Sequence, residues 1–173
     1  QADEQVGDGV AKARIGERVW VWNGQWKRPF GTAAEYIALP AIQAVKLPDN
    51  VSFEVGACLG IPAMTAYHAV VLAEAGKGST VLVTGGAGAV SQYVIQFAKA
   101  AGATVIATVS SPEKAALARE VGADHTIDYK REDVGSRVME ITGNKPVDCI
   151  IDMDIASNAK YVSAVLKPKG SVI

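Results

Sequence analysis

The chain has 173 residues, of which 49% are hydrophobic and 20% are charged, and its formal net charge is −1. It carries no basic surplus and no apolar run of about 18 residues, so we expect neither nucleic acid nor a membrane as its partner. No basic segment followed by an apolar core occurs, so no signal peptide is predicted and a cytoplasmic location is the default expectation.

The cysteines and the chain ends carry two further expectations. Cys58 and Cys149 lie far apart in apolar runs, which predicts buried free thiols in a reducing compartment. The chain opens on "QADEQVGDGV" without an initiator methionine and closes on "SVI" where a strand would begin. We therefore expect a fragment of a longer protein.

The first 50 residues read as short strands joined by turns. "ERVWVW" (17–22) and "EYIAL" (35–39) predict strands with a polar, glycine-bearing loop between them. Ser52 predicts a helix cap, and that helix is expected to end near Leu59. Pro62 predicts the first turn of a second helix that runs to about Glu74.

From residue 79 onward, strand and helix patterns alternate. The strand segments are apolar runs, typical of strands buried on both faces of a sheet, and the helical segments have apolar residues at helical spacing. This order predicts an α/β domain with a Rossmann-type parallel sheet and helices on both faces. Strands are predicted at 79–85, 103–109, 124–129, 147–153 and from 171, and helices at 89–102, 111–122, 132–141 and 157–166.

The first of these strand-to-helix turns contains a glycine pattern, "VLVTGGAGAVSQ" (81–92). A strand, the glycines from Gly85 to Gly88 and a helix starting at Ala89 are the parts of a turn whose backbone N–H groups face a pyrophosphate. Ser91 stands where the pattern G-x-G-x-x-G has its third glycine, so we expect looser packing of the helix on the strand. The alternative is a plain packing turn without a ligand.

The end of the second alternating strand bears on the choice of dinucleotide. NAD sites place Asp or Glu there to accept hydrogen bonds from the ribose hydroxyls. In "ATVSSPEK" no acid stands at that point, and Ser110, Ser111 and Lys114 offer two hydroxyls and a cation instead. This pattern favours NADP(H) over NAD(H), although Glu113 weakens it. The alternatives are that Ser111 only caps the helix and that Lys114 is a solvated lysine.

Other motifs do not point to a function. "GKGST" (76–80) precedes a strand, whereas a Walker loop follows one. The sequence has no Tyr-x-x-x-Lys pair, which argues against a short-chain dehydrogenase. His68 and His125 are isolated, and neither Cys-x-x-Cys nor His-x-x-x-His occurs, so the motifs predict no metal site.

Four segments, "GTAAEYIALP", "LPDNVSFEVGACLGIPAMTAYHA", "VLVTGGAGAVSQYVIQFAKAAGATVIATVSSPEKAALAREVGADHTIDY" and "VDCIIDM", resemble the zinc-independent quinone oxidoreductases. These are the zeta-crystallin-like branch of the medium-chain dehydrogenase/reductase superfamily. The resemblance covers nearly the whole chain. It implies that residues 1–53 are the C-terminal part of a GroES-like catalytic domain and residues 54–173 a truncated NADP-binding Rossmann domain.

The resemblance also implies roles for individual residues. The family pattern A/G-x-x-G-x-x-G maps onto Gly85, Gly88 and Ser91, so the serine departs from the family too. Tyr129 would flank the adenosine end and Thr65 would lie by the nicotinamide; their alternatives are an ordinary strand-end aromatic and a helix-surface hydroxyl. The pyrophosphate would meet Gly88, Ala89 and Val90, and the 2′-phosphate would meet Ser110 and Lys114.

Zinc is not expected on the same ground. In zinc-dependent relatives a ligand cysteine stands where this chain has Ile61, and a four-cysteine lobe would fall in residues 20–31, which contain no cysteine. The resemblance thus implies a zinc-free enzyme.

The predicted function is the NADPH-dependent reduction of quinones or similar α,β-unsaturated carbonyls by hydride transfer. The alternatives are an enoyl reductase of the same superfamily and a nucleotide-binding protein without turnover. A methyltransferase usually has an acidic residue at the end of the second strand, and this sequence has none there. No residue is a convincing proton donor. We expect the full-length protein to be a homodimer, and we expect this chain alone to be inactive.

Overall fold

A computed structural model describes residues 2–173 of the chain. These residues divide into two compact units, one reaching to Met64 and the other comprising Thr65–Ile173. The division falls inside a long helix. The predicted boundary between residues 53 and 54 lies close to the first residue of that helix.

The first unit contains a small antiparallel ladder. Strand β1 (Val19–Val21) pairs with β2 (Ala44–Lys46), with Val19 opposite Lys46. The prediction of a strand within 17–22 is therefore confirmed. Residues 35–39, all within the described range, form no strand, so that prediction is wrong. The ladder partner of β1 is β2, and the 35–39 segment belongs to no ladder in the described chain. β2 escaped prediction because it is short and mostly exposed.

Two arginines hold the loops of this unit together. The guanidinium of Arg14 donates to the carbonyls of Ala41 and Ala44 at 3.1 and 2.7 Å. The guanidinium of Arg18 donates to the carbonyls of Pro48, Asp49 and Val51 and lies 4.5 Å from the centre of the Phe53 ring. Side chains thus supply hydrogen bonds that so short a ladder cannot.

Helix α1 (Phe53–Leu72) is one continuous helix, capped by Ser52, whose Oγ accepts from the Val55 N–H at 3.3 Å. The prediction of two helices divided at Pro62 is wrong. Proline removes one backbone hydrogen bond, but Ala66, Ala69 and Val70 beyond it are buried in a core cluster and stabilise the helix. By length and by a mean hydropathy of 1.6 over its most apolar window, α1 is also apolar enough to cross a membrane. Core helices of globular proteins share this property, but only 22% of that window is buried in the described structure.

The second unit is built on a five-stranded sheet in which every neighbouring pair is parallel, in the order β5-β4-β3-β6-β7. The predicted α/β fold with a Rossmann-type parallel sheet is confirmed. The strands are β3 (Thr80–Val83), β4 (Thr104–Val109), β5 (His125–Asp128), β6 (Val147–Ile151) and β7 (Leu166–Val172).

Four helices follow the strands and cover both faces of the sheet. They are α2 (Ala89–Ala100), α3 (Pro112–Glu120), α4 (Val134–Ile141) and α5 (Ile155–Val165). Val81 and Val83 belong to the core cluster that contains residues of α2 and α3, whereas Leu82 between them belongs to the cluster that contains residues of α4 and α5. This alternation explains why β3 reads as an unbroken apolar run.

Strand β7 begins at Leu166, earlier than the predicted start at residue 171. Val147 pairs with Leu166, but Cys149 pairs with Ser171, so the register shifts between them. Lys169 in this stretch has a left-handed φ of 64°. An irregular, mostly exposed edge strand lacks the apolar run that identified the central strands.

Candidate functional site

The carboxyl ends of the strands meet at one edge of the sheet, where the chain changes direction. From the central strand β3 it continues to β4 and β5 on one side, and then crosses to β6 and β7 on the other. Ligands of open α/β sheets bind in the crevice at such a point. A cavity of about 1000 Å³ lies there, and its lining includes Thr84, Gly85, Thr108, Tyr129 and Met153.

The glycine turn after β3 depends on the absence of side chains. Gly85 has a left-handed φ of 62°. A Cβ on Gly86 would stand 2.7 Å from the Cβ of Ala107, and one on Gly88 would stand 3.2 Å from the carbonyl oxygen of Gly85. The first glycine is therefore needed for its conformation and the second for the close approach of β4.

The N-terminus of α2 differs from those of the three helices that follow it in the described chain. The N-cap residue of α2 is Gly88 and no side chain caps it, whereas side chains of Ser111, Asp133 and Asp154 accept from the first turns of α3, α4 and α5. The first N–H groups of a helix have no acceptor within the helix. Those of α2 at Ala89 and Val90 thus point to the side where an anion is stabilised by the helix dipole.

Ser91, which stands at the third glycine position, links helix α2 to strand β3. Its side chain is buried, and its Oγ donates to the carbonyl oxygen of Thr84 at 2.9 Å. This bond joins the first turn of α2 to the end of β3. The hydroxyl therefore fastens the helix to the strand, whereas we expected it to loosen their packing.

Two threonines that the sequence analysis did not single out hold the turn from either side. The N–H of Gly85 donates to Oγ1 of Thr108 at 3.1 Å, and the N–H of Met153 donates to Oγ1 of Thr84 at 2.8 Å. The ends of β4 and β6 are thereby tied to the end of β3. A threonine at the end of each of two apolar strands was a signal in the sequence, but their pairing depends on the sheet order.

At the end of β4 the structure brings Ser110, Ser111 and Lys114 together. The ammonium of Lys114 donates to Oγ of Ser110 at 3.0 Å, and the Lys114 N–H donates to Oγ of Ser111 at 3.3 Å. Ser111 is therefore a helix cap. Lys114 is exposed, but its ammonium lies over the corner rather than away from it. We call residues 110–114 the β4–α3 corner.

The carboxylates beside this corner have partners of their own. The pKa of Glu113 lies below its usual value, chiefly because the Ser111 hydroxyl bonds it and its own backbone N–H adds to this. Asp128, at the end of β5, accepts from the Lys130 N–H at 3.1 Å and lies 3.6 Å from Nε of Arg131. In neither case does an acid stand at the end of β4 itself, where NAD sites place one.

Two of the predicted site residues, Gly85 and Tyr129, line the cavity. Thr65 does not, and neither do the other predicted residues, which are Gly88, Ala89, Val90, Ser110, Ser111 and Lys114. Tyr129 follows β5, is half exposed, and its N–H donates to the carbonyl of Val109 at 3.0 Å, beside Ser110. Thr65 is exposed on α1, apart from the described residues that line the cavity. The assignment of Thr65 to a nicotinamide remains a prediction.

The opposite wall of the cavity comes from α5 and was missed in the sequence. Asp152 accepts from the side-chain amide of Asn158 at 3.2 Å, and Asn158 lines the cavity. Tyr161 is only 6% exposed, and its hydroxyl has no hydrogen-bond partner among the described residues. Burial, with the nearby Asp152 carboxylate, raises the pKa of Tyr161, so its phenol stays neutral. The only signal was the polar run "SNAKY" (157–161).

Residues 2–173 contain no cluster of metal-ligating side chains. No three His, Cys, Asp or Glu side chains cluster within the described part of the chain. Cys149 is buried, and desolvation raises the pKa of its thiol to about 11, so it is an unreactive thiol. Cys58 is exposed, so the prediction that both thiols are buried is wrong for Cys58. It lies on the part of α1 where several apolar side chains are also exposed.

The sequence and fold match those of known dehydrogenases. Residues 89–173 match the family described as zinc-binding dehydrogenase. The chain is similar in sequence and fold to members of the medium-chain dehydrogenase/reductase superfamily. It is 39% identical over 150 residues to a quinone oxidoreductase of Pseudomonas aeruginosa, covering 86% of this chain and 45% of the relative. It is 34% identical over 170 residues to a 2-haloacrylate reductase of Burkholderia sp., covering 96% and 50%. The chain spans about half the length of these curated relatives.

Solved structures of superfamily members share the fold. Quinone oxidoreductase of Pseudomonas syringae pv. Tomato DC3000 aligns with a TM-score of 0.85 at 38% identity, over 98% of this chain and 51% of that one. The Escherichia coli quinone oxidoreductase complexed with NADPH gives 0.79 at 29% identity, over 98% and 51%. An NAD-dependent alcohol dehydrogenase gives 0.87 at 30% identity, over 98% and 56%. The same fold thus occurs in an NAD-dependent enzyme and in one complexed with NADPH, so the fold alone does not distinguish the two cofactors.

Proposed function

We propose that this protein is an NADPH-dependent oxidoreductase that reduces quinones or similar α,β-unsaturated carbonyls by hydride transfer, without zinc. The observation that carries the proposal is the pairing of two features at one edge of the sheet. The N-terminus of α2 has no side-chain cap, and the neighbouring β4–α3 corner offers hydroxyls and an ammonium.

The pyrophosphate would lie at Gly88, Ala89 and Val90. It would accept from the N–H groups of Ala89 and Val90, since the Gly88 N–H already donates to the Gly85 carbonyl at 2.8 Å. The uncapped helix start and the space left by the glycines fit this group. The bonds from Gly85 to Thr108 and from Ser91 to Thr84 support the turn in this conformation before any ligand arrives. Binding then requires little ordering of the backbone.

The 2′-phosphate would lie at the β4–α3 corner. Ser110 and Lys114 already share a hydrogen bond, and the phosphate oxygens would accept from both groups. Tyr129 would border the adenosine from the end of β5, and Asn158 would border it from α5, because both line the same cavity. An NAD ribose would find no carboxylate at the end of β4.

This chain would bind and orient NADPH, which when bound would supply the hydride. We propose that Thr65 lies by the nicotinamide, as the resemblance implies. We assign no catalytic proton donor. The proposal further includes a GroES-like catalytic domain ending near residue 53, a small-molecule substrate, a homodimeric full-length protein and a cytoplasmic location.

The proposed zinc independence is supported by the residues at the positions where the resemblance places zinc ligands. Ile61 cannot ligate zinc, and residues 20–31 supply no thiolate, although the family matched by residues 89–173 is described as zinc-binding. We expect elemental analysis of the purified protein to show substoichiometric zinc and chelators to leave NADPH binding unchanged. Stoichiometric zinc would overturn this part of the proposal.

The substrate class is tested on the complete natural protein that contains this sequence. NADPH consumption is followed at one wavelength with a benzoquinone, with a 2-haloacrylate and with an enoyl thioester. Turnover of the quinone or the haloacrylate supports the proposal, and the name of the Burkholderia relative makes the haloacrylate a direct comparison. Turnover of the thioester alone would indicate an enoyl reductase, and NADPH binding without any turnover would indicate a binding protein.

A further inference from the structure

The turn after β5 carries a second cation close to the β4–α3 corner. Asp128 pairs with Val109 in the parallel ladder, and the Tyr129 N–H donates to the Val109 carbonyl at 3.0 Å. Arg131 belongs to this turn, because its N–H donates to the carbonyl of Asp128 at 2.9 Å. The turn thus lies against the last residue of β4, directly before Ser110.

The present partners of Arg131 hold it weakly. Its side chain is 75% exposed, and its Nε lies 3.6 Å from Oδ2 of Asp128, beyond normal hydrogen-bond length. Exposed ion pairs of this kind contribute little to stability. The pKa of Glu113 on α3 is lowered chiefly by the Ser111 hydroxyl and by its own backbone N–H, and the charge of Arg131 is the smallest cause. The guanidinium is therefore free to change partners near the corner.

We propose that Arg131 binds the 2′-phosphate of the dinucleotide together with Lys114, and so helps to select NADPH over NADH. This inference rests on the proposed function and adds a residue to its specificity site. A guanidinium presents paired N–H donors that match phosphate oxygens, whereas an ammonium is a point charge. Phosphate held by both cations would join the end of β4 to the turn after β5.

The carboxylates around the corner already have partners. Residues 110–114 and 128–132 contain three cations, Lys114, Lys130 and Arg131, and three carboxylates, Glu113, Asp128 and Glu132. Glu113 accepts from Ser111, Asp128 accepts from the Lys130 N–H, and Glu132 accepts from the Asp128 N–H and pairs with Arg137. A phosphate dianion would occupy the remaining donors, and an unphosphorylated ribose would not.

The test measures the affinity of the 173-residue chain for 2′,5′-ADP and for 5′-AMP at a fixed low salt concentration. Arg131→Gln removes the charge and Arg131→Lys keeps it, while Lys130→Gln is the matched control in the same turn. We expect Arg131→Gln to lower the affinity for 2′,5′-ADP on the order of 10-fold, and the affinity for 5′-AMP by less than about 2-fold. Arg131→Lys should restore part of the loss, and Lys130→Gln should change neither affinity by more than about 2-fold.

Salt dependence provides a readout that a structural role would not change. The affinity of the parent for 2′,5′-ADP should fall with added salt, and Arg131→Gln should flatten that dependence. Equal losses for both probes, or no loss for either, would overturn the role of Arg131. If the parent prefers 2′,5′-ADP and only Lys114→Ala removes the preference, this inference fails and the proposed function stands. If the parent does not prefer 2′,5′-ADP to 5′-AMP, both fail.

Discussion

The glycine turn after β3 and the β4–α3 corner lie at the same edge of the sheet but are built in opposite ways. The turn is fixed from within: Gly86 has no room for a Cβ, and the Ser91 hydroxyl is buried in a hydrogen bond to Thr84. The corner is more open, because Lys114 is exposed and Ser110 and Ser111 are half-buried, and its hydroxyls and ammonium bond mainly to one another. The turn thus suits the part common to all dinucleotides, and the corner suits the part that distinguishes them.

This comparison separates two kinds of effect. A change in the turn acts on backbone packing and on the shared pyrophosphate, so it should affect NADPH and NADH alike. A change in the corner removes one side chain from solvent-exposed surface and should affect only the cofactor that carries the 2′-phosphate. Stability measurements and paired titrations distinguish the two.

The largest effect is expected for Gly86→Ala. The new Cβ would meet the Cβ of Ala107 at 2.7 Å, so β4 or the turn must shift. Overpacking of this kind costs about 1–3 kcal/mol of unfolding free energy. Denaturant unfolding should show this loss, and binding of NADPH and NADH should be lost together. Gly76→Ala is the control, because its nearest contacts are at 3.9 Å; equal stability of the two variants would contradict the packing argument.

Lys114→Ala should change specificity without changing stability. A charge-assisted hydrogen bond contributes about 1.5–3 kcal/mol. The variant should therefore lower the affinity for NADPH on the order of 10- to 100-fold and leave the affinity for NADH nearly unchanged. Paired fluorescence titrations at fixed salt measure both. Lys145→Ala, in the loop before β6, is the matched control for a solvated lysine. Equal losses for the two cofactors would show that Lys114 does not contact the 2′-phosphate.

Ser91→Gly should destabilise the protein, although the glycine pattern alone predicts that it tightens the binding of both cofactors. The variant loses a buried hydrogen bond and places glycine in the first turn of α2, each costing about 1 kcal/mol. Ser91→Ala loses only the bond and should cost about half as much. Thermal unfolding orders the three proteins, and NADPH and NADH should both bind Ser91→Gly more weakly, by the same factor. Tighter binding of both cofactors by Ser91→Gly would contradict this role of the Ser91 hydroxyl.

Asp124→Asn should have the smallest effect and none on cofactor binding, because Asp124 directly precedes β5 at the amino edge of the sheet. Partial burial alone would raise the pKa of Asp124, but the Lys99 ammonium and the Val105 N–H, both bonded to it, together hold that pKa below its usual value. The contribution, about 1 kcal/mol after allowing for exposure, is present above the unfolded-state pKa. It is lost as the pH falls through the lower folded-state pKa.

Denaturant midpoints of the parent and Asp124→Asn test this between pH 8 and pH 3. Their difference should be constant from pH 8 to about pH 5 and shrink below about pH 4. A difference that grows as the pH falls would contradict the sign of the shift.

Strands β3, β4 and β6 could be predicted because each is buried on both faces and therefore forms an apolar run. β2 and β7 lie at sheet edges and are mostly exposed, so they lack a long apolar run. β2 was therefore not predicted, and the predicted start of β7 lay too far along the chain. The helix through Pro62 was not predicted because proline is a local signal, whereas burial of Ala66 and Ala69 is a tertiary one.

The candidate site divides in the same way. Gly85, Gly88, Ser110 and Lys114 are close in the chain to strand ends, and local pattern was enough to single them out. The bond between Thr84 and Met153 joins segments far apart in the chain, and the bond from the Tyr129 N–H to the Val109 carbonyl brings the turn after β5 to the end of β4. Only the sheet order brings them together, and no local pattern encodes it.

The central claim is that the β4–α3 corner selects NADPH over NADH. The most direct test is the ratio of the two dissociation constants, measured on the unmodified chain under one salt condition. The account predicts that NADPH binds on the order of 10- to 100-fold more tightly. Equal affinities, or tighter binding of NADH, would contradict it.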